Sequence, residues 1–325
     1  MRRRPTARLA ALGTAVAAAL LPIVAYAHGD PEPRPTLGRI LTGWEFDPLF
    51  LVPAAAVTWA YVAGVRKVAR DHPNSPVPAK NVVCFLAGML TLAVALTSPL
   101  ATYDTDLFAV HMVQHLLLIS VAAPLLLLGA PITLILRVST VRFRKGVVLP
   151  VLHSRVVKAI SFPVVAWVLL AAVMWVSHFS TLFDTALEDA WLHRLEHLVY
   201  LGAALLFWWP VTGADPSPWR LAHPIRLLYV FLQMPQQSFL AVAIYSSKNV
   251  IFPHYESIAR TWGPNPLRDQ EYAGLIMWLG GDALFIVALA CLAYGWVKAE
   301  ERSAKRQDRA RAREKAAAAA AAVSE

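Results

Sequence analysis

Seven apolar stretches constrain this chain of 325 residues more than any other feature of its sequence. A helix needs about 20 mainly apolar residues to cross the hydrocarbon of a bilayer, and each stretch approaches that length. Only 16% of the residues are charged, which is well below the usual share in soluble domains. We therefore predict an all-α, polytopic transmembrane helix bundle with seven spans, at residues 48–65, 81–99, 107–129, 160–178, 191–211, 227–246 and 273–297.

The first 27 residues have the pattern of a secretory signal peptide. Three arginines at 2–4 precede an apolar segment at 9–24, and a small-x-small cleavage pattern follows at 25–27. Cleavage there makes His28 the first residue of the mature chain. An uncleaved first membrane span is the alternative interpretation of the same segment.

The basic residues indicate an orientation. If the mature N-terminus is outside, the four cytoplasmic segments carry 20 of the 30 Lys and Arg residues, and the outer segments carry 6. This is the positive-inside pattern, and it explains the net charge of +9 without nucleic acid. We expect a multi-pass protein of the bacterial inner or plasma membrane, with a domain at 28–297 and a basic, Ala-rich cytoplasmic tail at 298–325.

Histidines gather on one side of this predicted bundle. His111 and His115 are four residues apart in the third span, and His193 and His197 repeat the spacing in the fifth. Residues four apart lie on one face of a helix. With the predicted orientation, the seven outer histidines are His28, His111, His115, His178, His193, His197 and His254.

Two methionines and the N-terminal histidine extend the candidate set. Met112 lies beside the first pair, and Met174 is one helical turn before His178. Either methionine could also be a packing residue. After cleavage, His28 would offer an α-amine and an imidazole to one ion.

Imidazole and thioether ligands together favour copper. The predicted site has no thiolate, and few carboxylates are expected at this level, which disfavours calcium and magnesium. Haem held by two histidines is the alternative, because helical histidines also serve as axial ligands. The pairs could also hydrogen-bond across helices without any metal. Glu196 could orient a histidine through a hydrogen bond or lie solvated at the interface.

Several motifs resemble those of the CtaG family, multi-spanning bacterial cytochrome c oxidase assembly factors. The resemblance covers most of residues 45–297, with Ala123-Pro124 where the family often has two prolines. It is carried by His-Met-Val-Gln-His at 111–115, Pro-Leu-Leu-Leu-Leu-Gly-Ala-Pro at 124–131, Trp-Val-Ser-His at 175–178, His-x-x-Glu-His at 193–197, Phe-Trp-Trp-Pro-Val at 207–211 and the stretch 269–278.

This resemblance implies a role in assembling a haem-copper oxidase, with cytochrome c oxidase subunits and the lipid bilayer as partners. The histidine pattern adds the expectation of a copper pocket on the outer side. No nucleophile-base or nucleotide-binding motif is present in the sequence, so we expect no enzymatic activity. Alternatives are a copper transporter, a haem-bearing membrane electron carrier, and a scaffold that binds an oxidase subunit without metal.

Overall fold

The structure is a computed structural model that describes residues 32–323, with side chains as far as Arg313. Within 32–323 the regular structure is helical and contains no strand, so the predicted all-α class is confirmed. The predicted signal peptide at 1–27 and the ligand His28 lie outside the described residues.

The helices include long spans and short connecting turns. Three π-helical segments, Leu117–Ala122, Arg144–Val148 and Ile276–Gly280, continue α-helices that precede them. In chain order the α-helices are α1 (Leu37–Thr42), α2 (Pro48–Asp71), α3 (Ala79–Thr97), α4 (Pro99–Tyr103), α5 (Phe108–Leu116), α6 (Ala123–Leu128), α7 (Pro131–Val138), α8 (Val141–Phe143), α9 (Leu149–Leu152), α10 (Arg155–Ile160), α11 (Pro163–His178), α12 (Leu182–Glu188), α13 (Ala190–Thr212), α14 (His223–Tyr245), α15 (Pro253–Ser257), α16 (Pro266–Leu275) and α17 (Gly281–Val323).

Each of the seven predicted spans coincides with helical structure, but seven crossings are not confirmed. In the described part of the chain, five helical spans are long and apolar enough to cross a membrane. A sixth is added if α11 and α12, which are bent by 71°, form one broken span. The 23-residue helix α13 is not among them. Its first two turns carry the polar His-Arg-Leu-Glu-His segment, which lowers its apolar character.

The third predicted span lies at the centre of the bundle. Its components α5, the π segment Leu117–Ala122 and α6 contact α3, α13, α16 and the last span. A π segment disturbs the regular ladder of backbone hydrogen bonds. Here the indole nitrogen of Trp208 donates to the carbonyl of Ile119 at 2.8 Å, which satisfies a buried acceptor in that segment.

A carboxylate from another helix holds the start of α5. The side chain of Asp269, on α16, accepts from the backbone amides of Phe108 at 2.7 Å and Ala109 at 3.3 Å. The first amides of a helix have no partner within the helix, so this contact replaces a local N-cap. It fixes the start of α5, three residues before His111.

We expect Asp269→Ala to lower the free energy of unfolding by about 2 kcal/mol, because one buried and one partly buried amide lose their acceptor. Thermal unfolding of the purified protein in detergent measures this effect. Glu271→Ala is the matched control, since Glu271 is on the same helix and, among the residues that the structure describes, forms its ion pair with Arg268 at the surface. Equal unfolding temperatures for the two variants would contradict the capping role.

Candidate metal site

Five predicted ligands converge at one end of the bundle. We call His111, His115, His178, His193 and His197 the histidine cluster. Ring centroids are 4.3 Å apart for His111–His115, 5.4 Å for His111–His193, 4.4 Å for His193–His197 and 6.4 Å for His115–His178. Helix α5 therefore joins α13 on one side and α11 on the other through imidazoles.

The pair on α5 is fully enclosed. His111 and His115 are 0% and 3% exposed, and their Nε2 atoms are 3.0 Å apart. Such a contact needs one ring to donate and the other to accept. The Nδ1 atom of each ring has no hydrogen-bond partner among the described residues.

The pair on α13 is oriented by Gln114. The amide nitrogen of Gln114 donates to the carbonyl of Ala95 at 2.8 Å, which leaves its oxygen to face His197 Nε2 at 3.0 Å. That oxygen can only accept, so His197 carries its proton on Nε2 and its lone pair on Nδ1. A single buried glutamine thus links α3, α5 and α13 and selects the tautomer of a candidate ligand.

Two carboxylates join the cluster, which corrects the expectation of few carboxylates at this level. Asp104 Oδ2 lies 3.7 Å from His193 Nε2, and Glu196 Oε2 lies 3.9 Å from His111 Nε2. Ligand atoms of Asp104, His193 and His197 lie within 4.8 Å of one another, as do those of His111, His193 and Glu196. The two triads share His193. We call these five residues the outer group.

Glu196 differs from both interpretations of its sequence position. Its side chain is only 8% exposed, so it is not solvated. Neither carboxylate oxygen has a hydrogen-bond partner in the described residues, so it does not orient a histidine through a hydrogen bond. One of its carboxylate oxygens lies within 4.8 Å of ring nitrogens of both His111 and His193.

The remaining predicted ligands are on α5 and α11 and lie beside His115. His178 Nδ1 is 2.7 Å from the carbonyl of Met174, and its Nε2 has no partner among described residues. His115 stacks on Tyr200 with ring centroids 4.2 Å apart. Met112 and Met174 are buried and line a small cavity beside these two histidines.

A large cleft borders the outer group. It has a volume of about 2510 Å³ and runs between α2 and α13. Asp104, His193 and His197 line one part of it. On the other side Phe183, on α12, covers His111 and His178 at centroid distances of 5.0 and 5.4 Å. Access to the cluster is therefore from one side.

Sequence reasoning missed Asp104, Gln114 and Tyr200 as members of the site. Tyr200 had a usable signal, because it is four residues after Glu196 and shares that face of α13. Asp104 precedes α5 in a loop, and only tertiary packing brings it to α13. His254, counted among the outer histidines, instead contacts the carbonyl of Thr105 at 3.0 Å and links α15 to the loop before α5.

The fold and site define a class: a polytopic membrane helix bundle that buries an imidazole and carboxylate cluster at one end. Residues 59–299 match the family described as cytochrome c oxidase caa3 assembly factor (Caa3_CtaG). The chain belongs to this family, and the resemblance seen in its motifs is confirmed.

Relatives are found in mycobacteria. Uncharacterized proteins of Mycobacterium bovis and Mycobacterium tuberculosis are each 32% identical over 286 residues, and one of Mycobacterium leprae is 30% identical. Each alignment covers 86% of this chain and 43% of the relative, so the chain spans less than half their length. No solved structure matches the chain.

Burial raises the pKa of the Asp104 carboxyl well above its usual range, although a hydrogen bond from Gln114 opposes the shift. A raised folded-state pKa means that the metal-free protein loses stability as the pH rises above the unfolded-state value of about 3.9. The loss is complete above the folded-state pKa. We expect Asp104→Asn to remove this loss and to raise the unfolding temperature of the metal-free protein at neutral pH.

This expectation is checked by measuring the unfolding temperature of the chelator-treated protein over about five pH units, upward from the unfolded-state pKa of an aspartate. Asp71→Asn is the control, because Asp71 is exposed at the end of α2. Parallel pH profiles for wild type and Asp104→Asn would show that Asp104 ionises in the folded state as it does in the unfolded chain.

Proposed function

We propose that this chain is a membrane assembly factor that receives copper at its histidine cluster and delivers it to a cytochrome c oxidase subunit. Family membership supports the assembly role. The copper role rests on one observation: three buried ring nitrogens, Nδ1 of His111, Nδ1 of His115 and Nε2 of His178, have no hydrogen-bond partner among the described residues. Leaving a buried polar atom unpaired costs about 1–3 kcal/mol, and a bound cation would offset that cost.

The donor set fits copper. Imidazole nitrogen suits copper and zinc, and divalent copper is bound more tightly than zinc by a given set of nitrogen and oxygen ligands. Asp104 and Glu196 would neutralise the charge of the ion in a site that excludes most water. Of the two cysteines, Cys84 is half-buried and Cys291 is exposed, and neither is in the cluster.

The arrangement also suits delivery rather than permanent retention. His193 belongs to both triads of the outer group, so an ion could move between them by exchanging the other two ligands. The cleft beside α2 gives the ion a route to Asp104 and His193. The chain itself would bind, orient and release the ion, with no covalent chemistry.

In this proposal the cluster faces the outside of the inner or plasma membrane, the mature N-terminus is outside, and the C-terminus is cytoplasmic. The opposite end of the bundle carries basic residues that bind backbone carbonyls, such as Lys67 at Val138 and Arg137 at Ser75. Basic residues concentrate on the cytoplasmic side of membrane proteins. Copper that arrives from outside would meet the acidic and imidazole end first.

The metal content of the purified protein tests the copper role. We expect the wild type, after loading with copper, to hold about one ion per chain, and the His111→Ala, His115→Ala double variant to lose it, because the triad that contains His111 and the pair on α5 are disrupted. Elemental analysis and a visible spectrum give the readout. His72→Ala, His153→Ala is the matched control, since both histidines lie in exposed positions far from the cluster.

Each alternative function predicts a different experimental result. A Soret band in the visible spectrum would identify a haem carrier. Zinc instead of copper in the elemental analysis would mean that the chain carries zinc. Copper uptake by vesicles that contain the protein would indicate a transporter. A folded wild type that binds no metal would contradict the copper role and leave a scaffold for oxidase assembly.

A further inference from the structure

A small internal cavity lies directly behind the outer group. Its volume is about 10 Å³, which is close to the space that one water molecule or ion needs. Three methionines and two histidines line it: Met112, Met174, Met277, His115 and His178. We call these five residues the inner group.

The three thioethers come from three different parts of the chain. Met112 is on α5, Met174 is on α11 and Met277 is in the π segment of the last span. They are 2%, 3% and 3% exposed, and they are half of the six methionines in the sequence. Methionine is flexible and usually fills gaps in a core. Here three methionines surround a gap that they leave open.

Each of the two imidazoles that line the cavity has one buried ring nitrogen without a partner among the described residues. The Nδ1 atom of His178 contacts the carbonyl of Met174 at 2.7 Å, so it carries the proton and Nε2 carries the lone pair. Within the described residues, neither His178 Nε2 nor His115 Nδ1 has a hydrogen-bond partner. A backbone contact that fixes the tautomer of a histidine is the usual companion of metal ligation.

The backbone around Met277 is built to hold it in place. Its carbonyl accepts from the amide of Gln237 at 3.0 Å, and Gln237 also lines the cavity. Gly281 permits this approach, because a Cβ atom there would lie 1.8 Å from Gln237 Nε2. The π segment Ile276–Gly280 that carries Met277 is a type of helix distortion frequent at functional sites.

We infer that the inner group is a second, Cu(I)-selective subsite, separate from the outer group. Thioether sulfur selects Cu(I), and the inner group has no carboxylate. The outer group has two carboxylates, which suit a divalent ion. The contact between the Nε2 atoms of His111 and His115 places the two groups next to each other. This inference rests on the proposed copper role and specifies the oxidation state of the copper that the inner group binds.

Met277→Leu tests the subsite, because leucine keeps the volume of methionine but has no sulfur. Met234→Leu is the matched control. Met234 is a partly buried methionine on α14 that packs against the same core but does not line the cavity. Met112→Leu provides a second variant if Met277→Leu does not fold, as judged by its unfolding temperature.

The measurements are anaerobic Cu(I) competition against a chromogenic chelator and X-ray absorption at the copper edge. We expect sulfur scattering in the wild type and in Met234→Leu. In Met277→Leu we expect weaker sulfur scattering and Cu(I) affinity lowered by about tenfold or more. Zn(II) binding, used as the probe of the outer group, should be unchanged in all three proteins.

Two results would overturn the inner subsite. Nitrogen and oxygen scattering alone in the wild type would do so and leave the outer group and the proposed function intact. An equal loss of Cu(I) affinity in Met277→Leu and Met234→Leu would trace the effect to packing. Failure of the folded wild type to bind either Cu(I) or Zn(II) would instead remove the proposed copper role along with the subsite.

Discussion

The burial of polar rings and carboxylates inside an apolar bundle is the constraint on which the rest of this structure depends. His111 and Gln114 are 0% exposed, and Asp104 is 1% exposed. Water cannot satisfy such groups, so each needs a protein partner or a ligand. Gln114 meets this need by joining Ala95 to His197. Ring nitrogens of His111, His115 and His178 have no hydrogen-bond partner in the described residues, and they are the ones that the proposed copper would bind.

The bundle supplies the rigidity that such a cluster requires. Asp269 fixes the start of α5, and the bend between α11 and α12 brings Phe183 over two histidines. Downstream of His115 the same span turns into a π segment whose carbonyl at Ile119 is satisfied by Trp208. Long-range contacts at helix ends, more than local capping, therefore set the positions of the ligands.

Hydropathy and helical spacing predict much of this arrangement. The seven apolar stretches mark the helices, and the four-residue spacing places His111 with His115 and His193 with His197. The approach of Asp104 to His193 and of Met277 to Met174 depends on how distant spans pack, which periodicity within one span does not encode. The sequence does not determine the number of membrane crossings. Helix α13 has a polar first half and an apolar second half, so its average hydropathy does not show whether it crosses the membrane.

The copper content of the oxidase tests whether the histidine cluster supplies copper to it. Cells that lack this chain would be complemented with the wild type or with His111→Ala, His115→Ala, at equal levels in the membrane. Oxidase purified from cells with the wild type should contain its full copper, and oxidase from cells with the double variant should be copper-deficient. Oxidase with full copper from both would contradict the copper role.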